Sequence, residues 1–113
     1  MDVIEILFRE GFSFRSFPAY PRHIGVEKYN CAALLESTPE GGWRQFSSAG
    51  ALLEDGEIAL LVERRGQSLF VYKSKELPAE GELMENYRRF LQELRKVFDE
   101  AIREPPPPLL DGS

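Results

Sequence analysis

Apolar residues fill most positions of residues 50–72, and two glycine-containing turns divide this stretch into three predicted strands. Asp55-Gly56 and Arg65-Gly66 each supply a glycine where a tight antiparallel hairpin needs a positive φ. We therefore expect a two-residue turn at both places, which determines the residues that lie opposite each other. The expected pairs are Leu53 with Ile58, Leu52 with Ala59, Ala51 with Leu60, Gly50 with Leu61, Val62 with Leu69, Leu61 with Phe70, Leu60 with Val71 and Ala59 with Tyr72.

Both faces of this predicted meander are apolar, because opposed residues share a face and the face alternates along a strand. One face carries Ala51, Leu53, Ile58, Leu60, Val62, Leu69 and Val71. The other face carries Leu52, Ala59, Leu61, Phe70 and Tyr72. An antiparallel sheet with one solvated face alternates apolar and polar residues instead. Each face therefore needs a cover, either another part of this chain or a partner.

A long helix is predicted from near residue 79 to residue 103, because apolar residues recur there at alternating spacings of four and three. These residues are Leu83, Met84, Tyr87, Phe90, Leu91, Leu94, Val97, Phe98, Ala101 and Ile102. A stripe of this width is typical of a helix packed on a globular core, so the helix is expected to cover one face of the sheet. The other face would be covered by an N-terminal helix with residues 12–25, or by another subunit.

Residues 2–10 favour that short N-terminal helix. Asp2 is a suitable N-cap with Glu5 three residues later, and Gly11 is a suitable C-terminal stop. The β-branched residues within 3–8 favour a strand instead, and this alternative stays open.

The remaining segments predict further strands. Two prolines keep residues 12–25 extended. Residues 26–37 predict a buried strand, residues 38–42 a turn, and residues 43–47 a returning strand. The predicted fold class is α+β: an antiparallel meander sheet of four or five strands, with a short N-terminal helix and a long C-terminal helix packed on it.

The composition indicates one folded domain. The chain has 113 residues, of which 42% are hydrophobic and 29% charged, so we expect a single domain over residues 1–104 and a flexible proline-rich tail over residues 105–113. A net charge of −5 argues against nucleic-acid binding by phosphate neutralisation and against adsorption to anionic membranes. No apolar run reaches the length of a membrane-spanning helix, and the acidic N-terminus is unlike a signal peptide. With one cysteine and no internal disulfide, a cytoplasmic location is expected.

Catalytic and metal-binding patterns are sparse. His23 is the single histidine and Cys31 the single cysteine, which excludes His-rich metal sites and zinc-finger spacings. Cys31 and His23 could form a nucleophile and base, but Cys31 precedes the apolar residues 32–35, where desolvation makes a thiol inert. The sequence therefore predicts no catalytic residue, no metal and no cofactor.

The strongest candidate for binding is the aromatic and basic segment at residues 12–24. Aromatic rings beside arginine suit peptide capture or the stacking of nucleobases, although the same rings could cover the core as a lid. Trp43, beside Arg44, could extend this surface. The candidate binding residues are Phe12, Phe14, Arg15, Phe17, Tyr20, Arg22, His23 and Trp43.

Residues 105–110, Pro-Pro-Pro-Pro-Leu-Leu, are expected to favour polyproline II, a conformation that aromatic grooves recognise. They form either a disordered end or a segment that docks on the aromatic segment of a neighbouring chain.

These features favour a small non-enzymatic binding or adaptor protein with a protein or peptide partner, most simply a homodimer that uses the sheet face left uncovered by the long helix. One alternative is single-stranded nucleic-acid binding through residues 12–24, which the net charge opposes. The least favoured alternative is an enzyme that uses Cys31 and His23.

Overall fold

The computed structural model describes residues 2–54 and 56–103, with side chains described as far as Ala101. The elements are α1 (Val3–Arg9), β1 (Ser13–Phe17), β2 (Tyr20–Lys28), β3 (Cys31–Ser37), β4 (Trp43–Gln45), β5 (Gly50–Leu52), β6 (Ile58–Arg64), β7 (Gln67–Tyr72), β8 (Lys75–Pro78) and α2 (Gly81–Arg103). All the strands join one antiparallel sheet in the order β1-β2-β3-β5-β6-β7-β8, and β4 pairs with β3 beside β5. The predicted α+β class, with a short first helix and a long last helix, is confirmed.

The sheet has eight strands among the described residues, more than the four or five predicted. The segment predicted only as extended, residues 12–25, supplies β1 and the first part of β2, which pair around Pro18-Ala19. Beyond β7 the chain adds β8 at the edge of the sheet. Pro78 ends this edge strand, a position where its missing N–H costs no ladder hydrogen bond. The expected tail, residues 105–113, lies outside the described residues.

α1 confirms the helical alternative for the N-terminal residues. Gly11, two residues after the last residue of the helix, has a φ of 89°. The N–H of Phe12 donates to the carbonyl of Leu7 at 3.0 Å, and the N–H of Gly11 donates to the carbonyl of Phe8 at 3.2 Å. These two bonds form a Schellman motif, which requires a left-handed residue and therefore favours glycine. Gly11 thus stops α1 and directs the chain into β1.

The turn between β6 and β7 forms as predicted. Arg65 and Gly66 have φ values of 54° and 76°, the two positive angles of a type I′ turn. The expected pairs of Val62 with Leu69, Leu61 with Phe70 and Leu60 with Val71 are confirmed.

The turn between β5 and β6 is longer than predicted. The N–H of Leu53 donates to the carbonyl of Glu57 at 2.8 Å, so the loop contains three residues, 54–56. Gly56, with a φ of 83°, sits at the third loop position, where such loops place a left-handed glycine. Asp55, on which the prediction partly rested, lies outside the described residues.

The predicted register between β5 and β6 is therefore wrong by one residue. The observed pairs are Gly50 with Leu60, Ala51 with Ala59 and Leu52 with Ile58. A shift of one residue turns every side chain of a strand to the opposite face. Ala51 consequently faces the helices, and Leu52 faces away from them.

The continuous strand predicted over residues 26–37 is also wrong, because the chain reverses within it. Tyr29 and Asn30, with φ values of 55° and 59°, form the turn between β2 and β3. Asn tolerates this left-handed region but Tyr rarely enters it, so the pair Tyr29-Asn30 does not predict a turn. The next hairpin is as predicted, with Ser37 opposite Trp43.

Both helices lie on the same face of the sheet, which we call the covered face. α1 packs against α2, and together with the sheet they enclose one main core. The buried members of this core are Val3, Ile6, Leu7, Phe12, Val26, Cys31, Ala33, Leu35, Ala49, Ala51, Ala59, Phe70, Tyr87, Phe90, Leu94 and Val97. The long helix covers one face as expected, but the expectation that the N-terminal helix covers the other is wrong. Neither helix in the described part of the chain is long and apolar enough to cross a membrane.

Candidate functional site

The open face is the side of the sheet opposite the helices. By the pairing register its central residues are Ala32, Leu34, Leu52, Ile58, Leu60, Val62, Leu69 and Val71. A small cluster of Phe17, Ala32 and Leu34 is buried there, with Leu52 and Ile58 packed against it. Leu60, near the middle of the face, is 43% exposed. A contiguous apolar face that the chain leaves this accessible is typical of an interaction surface.

The open face contains a groove of about 550 Å³. The floor consists of the apolar residues Leu34, Ile58, Leu60 and Val71. One wall is the turn between β1 and β2, with Phe17, Pro18, Ala19 and Tyr20. The polar rim includes Ser47, Ser48, Glu57, Tyr72 and Lys73. This volume lies in the range of natural binding sites.

Two glycines allow unusually close contacts on the open face. A Cβ at Gly50 would lie 2.2 Å from the carbonyl oxygen of Ala59, so β5 presses closely against β6. A Cβ at Gly25 would lie 2.1 Å from the ring of Phe17, which crosses β2 at this point. Neither approach is possible with a larger residue. The ring of Phe17 therefore folds over the open face and forms part of the groove wall.

Tyr72 lies at one end of the groove, where its side chain packs against the main core on the covered face. The Nζ of Lys73 lies 5.2 Å from the centre of the Tyr72 ring. A hydrogen bond to the carboxylate of Glu57 is the main cause of a raised pKa at Tyr72. Since the four floor residues are uncharged, the groove favours an uncharged, apolar occupant.

An aromatic cluster adjoins the groove. The ring of His23 lies 4.1 Å from that of Phe46 between centroids, and Tyr20 meets both edge-on at 5.8 and 6.1 Å. Tyr20 and Phe46 are 42% and 46% exposed. Phe46 was missed by the sequence analysis; the one available signal was an aromatic residue directly before Ser47-Ser48, where the returning strand breaks.

Three of the predicted candidates lie on the covered side. Phe12 is buried in the main core, with its ring edge-on to Phe90 at 5.8 Å between centroids. Trp43 packs against the same core. Phe14 pairs with Val26 in the sheet and so points to the covered face. These side chains are separated from the groove by the thickness of the sheet.

The other candidates lie on the open side or on the outer part of β2. Arg15 forms an ion pair with Glu27 at 3.1 Å, Phe17 is buried in the open-face cluster, and Tyr20 and His23 belong to the aromatic cluster. The remaining candidate, Arg22, is exposed in β2. The aromatic segment is thus divided between the faces because it is a hairpin, and its rings do not form a single stacking platform.

Cys31 and His23 also lie on opposite faces of the sheet. Cys31 is buried in the main core, where desolvation raises its pKa to about 11 and keeps the thiol protonated. The Nδ1 of His23 is buried and has no hydrogen-bond partner among the described residues, while its Nε2 lies 4.0 Å from Glu36. The geometry does not place these two side chains as nucleophile and base. No group of three or more His, Cys, Asp or Glu residues in the described ranges is arranged to hold a metal ion.

A polar network on the covered side connects both helices to the end of β2. The Nζ of Lys28 donates to Glu93 at 2.6 Å and to the carbonyl of Glu10 at 2.5 Å. The hydroxyl of Tyr29 donates to Glu93 at 2.8 Å. Partial burial alone would raise the pKa of Glu93, but these hydrogen bonds and the charge of Lys28 outweigh it and lower the pKa. The polar groups of Lys28, Tyr29 and Glu93 are hydrogen-bonded within this network, which indicates a structural role.

The groove and the adjoining aromatic cluster are thus the part of the described structure best suited to hold a partner. No protein-family model, curated protein or solved structure matches this chain.

Proposed function

We propose that this chain is a small binding protein without a catalytic role, and that it holds a protein partner on the open face, most simply another copy of itself. The observation that carries this proposal is the apolar groove floor, with Leu60 43% exposed although both helices pack on the opposite face. Burying such a floor stabilises a complex by roughly 25 cal/mol for each Å² of apolar surface removed from water.

The surroundings of the groove also suit a protein partner. Protein interfaces are enriched in aromatic residues around an apolar centre, and Tyr20 and Phe46 provide exposed rings at the groove edge. Ser47 and Ser48 line the rim; the Oγ of Ser47 accepts a hydrogen bond from the N–H of Leu34 at 3.1 Å, and its own O–H can still donate to a partner's backbone. An apolar floor with a mainly polar rim matches the usual anatomy of such surfaces.

Sedimentation velocity at micromolar concentration tests the proposal on the chain and two leucine variants. Leu60→Asp introduces a charge into the groove floor, and Leu77→Asp is its matched control, since Leu77 is similarly exposed, 38%, on the covered side at the edge strand. We expect the unmodified chain and L77D to sediment as dimers and L60D as a monomer, because an uncompensated charge in a buried contact strongly opposes association.

The proposal fails if the unmodified chain sediments only as a monomer at micromolar concentration. It also fails if L60D and L77D dissociate the dimer equally. Urea denaturation of both variants establishes that each is folded before its mass is compared.

A further inference from the structure

We propose that the groove is occupied by residues 105–110, Pro-Pro-Pro-Pro-Leu-Leu, of a second copy of this chain. The inference rests on the proposed function and deepens it by naming the occupant. Three properties support it: the chemistry of the groove, its shape, and the position at which the chain leaves α2.

The chemistry of the groove fits a proline-rich segment. Its wall presents Phe17, Pro18 and Tyr20, and grooves lined by aromatic rings are the usual receptors of polyproline II segments. Such a segment has no N–H to donate at proline and offers carbonyl oxygens, which the hydroxyls of Ser47 and Ser48 can satisfy. Residues 105–110 carry no charge, in keeping with the uncharged floor.

The shape of the groove argues for an extended segment instead of a flat surface. Phe17 packs over Gly25 on the open face and forms a wall at one side of the groove. Two such faces placed against each other would meet at their walls and leave their groove floors apart. A polyproline II segment is narrow and already ordered, so it enters such a groove at little entropic cost.

The position of the segment indicates that a second copy supplies it. Glu100, near the end of α2, pairs with Arg9 at 2.6 Å, which places the end of the helix on the covered side near the start of β1. The groove wall lies at the other end of β1, about 13 Å away for the four steps between its five residues. Only residue 104 lies between α2 and the proline segment, and the two steps from residue 103 to residue 105 span about 6 Å in polyproline II, which is too short to reach the groove of the same copy.

Reciprocal exchange of this segment produces a closed dimer. Each copy donates one proline segment and receives one, so the contact is repeated about a two-fold axis and leaves no unpaired groove. The second contact forms within a complex already held by the first, which strengthens two individually weak contacts.

The main test uses the whole 113-residue chain with Pro105→Ser, Pro106→Ser, Pro107→Ser and Pro108→Ser, called here the proline variant. We expect sedimentation velocity to show a dimer dissociation constant at least about tenfold weaker than that of the unmodified chain, since loss of a well-packed anchor typically has this effect. Urea denaturation of the proline variant establishes that it is folded before its mass is compared.

A second measurement tests the groove directly. A fluorescently labelled peptide of residues 103–113 is added to the proline variant, and its anisotropy is followed. We expect binding that weakens at least about tenfold when Tyr20→Ala is added to the variant. Phe14→Ala is the matched control, because Phe14 is exposed to a similar degree, 38% against 42%, on the covered side, and it should leave binding unchanged.

The possible results separate this inference from the proposed function. If the proline variant dimerises like the unmodified chain while L60D is monomeric, the open face binds a second copy through other residues and the present inference is overturned. If the unmodified chain is a monomer and the peptide binds only the proline variant, the segment occupies its own groove and the second-copy assignment is overturned. If the peptide does not bind and L60D has no effect, both proposals fail.

Discussion

The two faces of the sheet are built from similar apolar residues, yet they differ in how they are covered. On the covered face, large side chains from both helices and the sheet interlock, as in the edge-on contact of Phe70 and Tyr87 at 5.1 Å between ring centroids. On the open face, the buried cluster contains only Phe17, Ala32 and Leu34 among the described residues. The covered face therefore supplies most of the buried packing of the domain, and the open face keeps apolar surface accessible.

This difference follows from the dimensions of the helices. α1 has seven residues and is about 10 Å long, which is too short to shield a sheet face alone. The Schellman motif at Gly11 also joins it closely to β1, so it lies beside α2 and completes the same core. An apolar face shows that a cover is needed, but it does not show which element provides it.

The largest expected effect is on the covered face. Phe70→Ala should lower the free energy of unfolding by about 3–5 kcal/mol, because Phe70 is fully buried and its removal leaves a cavity. Leu60→Ala, on the open face, should cost less than about 1 kcal/mol in the monomer, since much of that side chain is already in water. Urea denaturation of both variants measures the difference. Equal losses of unfolding free energy in the two variants would contradict the expectation that the covered face supplies most of the stability.

A smaller effect is expected where Gly50 lets β5 lie close to β6. Gly50→Ala should destabilise the chain by about 1–3 kcal/mol, because the new methyl group would meet backbone atoms of Ala59 that cannot move aside. Gly42→Ala is the control, since its Cβ would lie 3.4 Å from the side-chain oxygen of Thr38, and its effect should stay within about 0.5 kcal/mol. Thermal unfolding of both variants checks this. A neutral Gly50→Ala would mean that the close contact between β5 and β6 is not required.

The sequence predicted one register of the central meander correctly and the other incorrectly, although both turns contain glycine. At Arg65-Gly66 both residues enter the left-handed region, as a two-residue turn requires. At Asp55-Gly56, Gly56 instead closes a three-residue loop, which an Asp-Gly pair also permits. The two loops cannot be distinguished from turn residues alone, because residues 50–53 and 58–62 carry no polar side chain and either register buries apolar side chains.

The candidate site was predicted only in part, for a related reason. Tyr20 and His23 adjoin the groove as candidates from the aromatic segment, but Phe12 and Phe14 point to the other side. These residues are separated because side chains alternate between the two faces along β1 and β2. The sequence predicted residues 12–25 only as extended, so it did not indicate which of these side chains share a face. The contribution of Phe46 depends on a distant contact with His23, which no local pattern reveals.

The smallest expected effect concerns the polar network that holds the helices on the covered face. Glu93→Gln should cost about 1 kcal/mol at pH 7, because it weakens the contacts with Lys28 and Tyr29 at a site that is still partly solvated. The control is Glu85→Gln on the same helix, whose carboxylate is mostly exposed and 4.0 Å from Arg89, and it should be nearly neutral.

The pH dependence of the free energy of unfolding separates the contribution of the Glu93 charge from that of its side-chain packing. Because folding lowers the pKa of Glu93, its carboxylate stabilises the fold above the ordinary pKa of glutamate, about 4.3, and this stability is lost as the pH falls through the lower folded value. The difference between the unmodified chain and E93Q should therefore be present at pH 7 and shrink below about pH 4. A difference that persists at acid pH would show that the side chain acts through packing. The covered face would then be stabilised by packing and not by the charge of Glu93, and the two faces would differ in their packing alone.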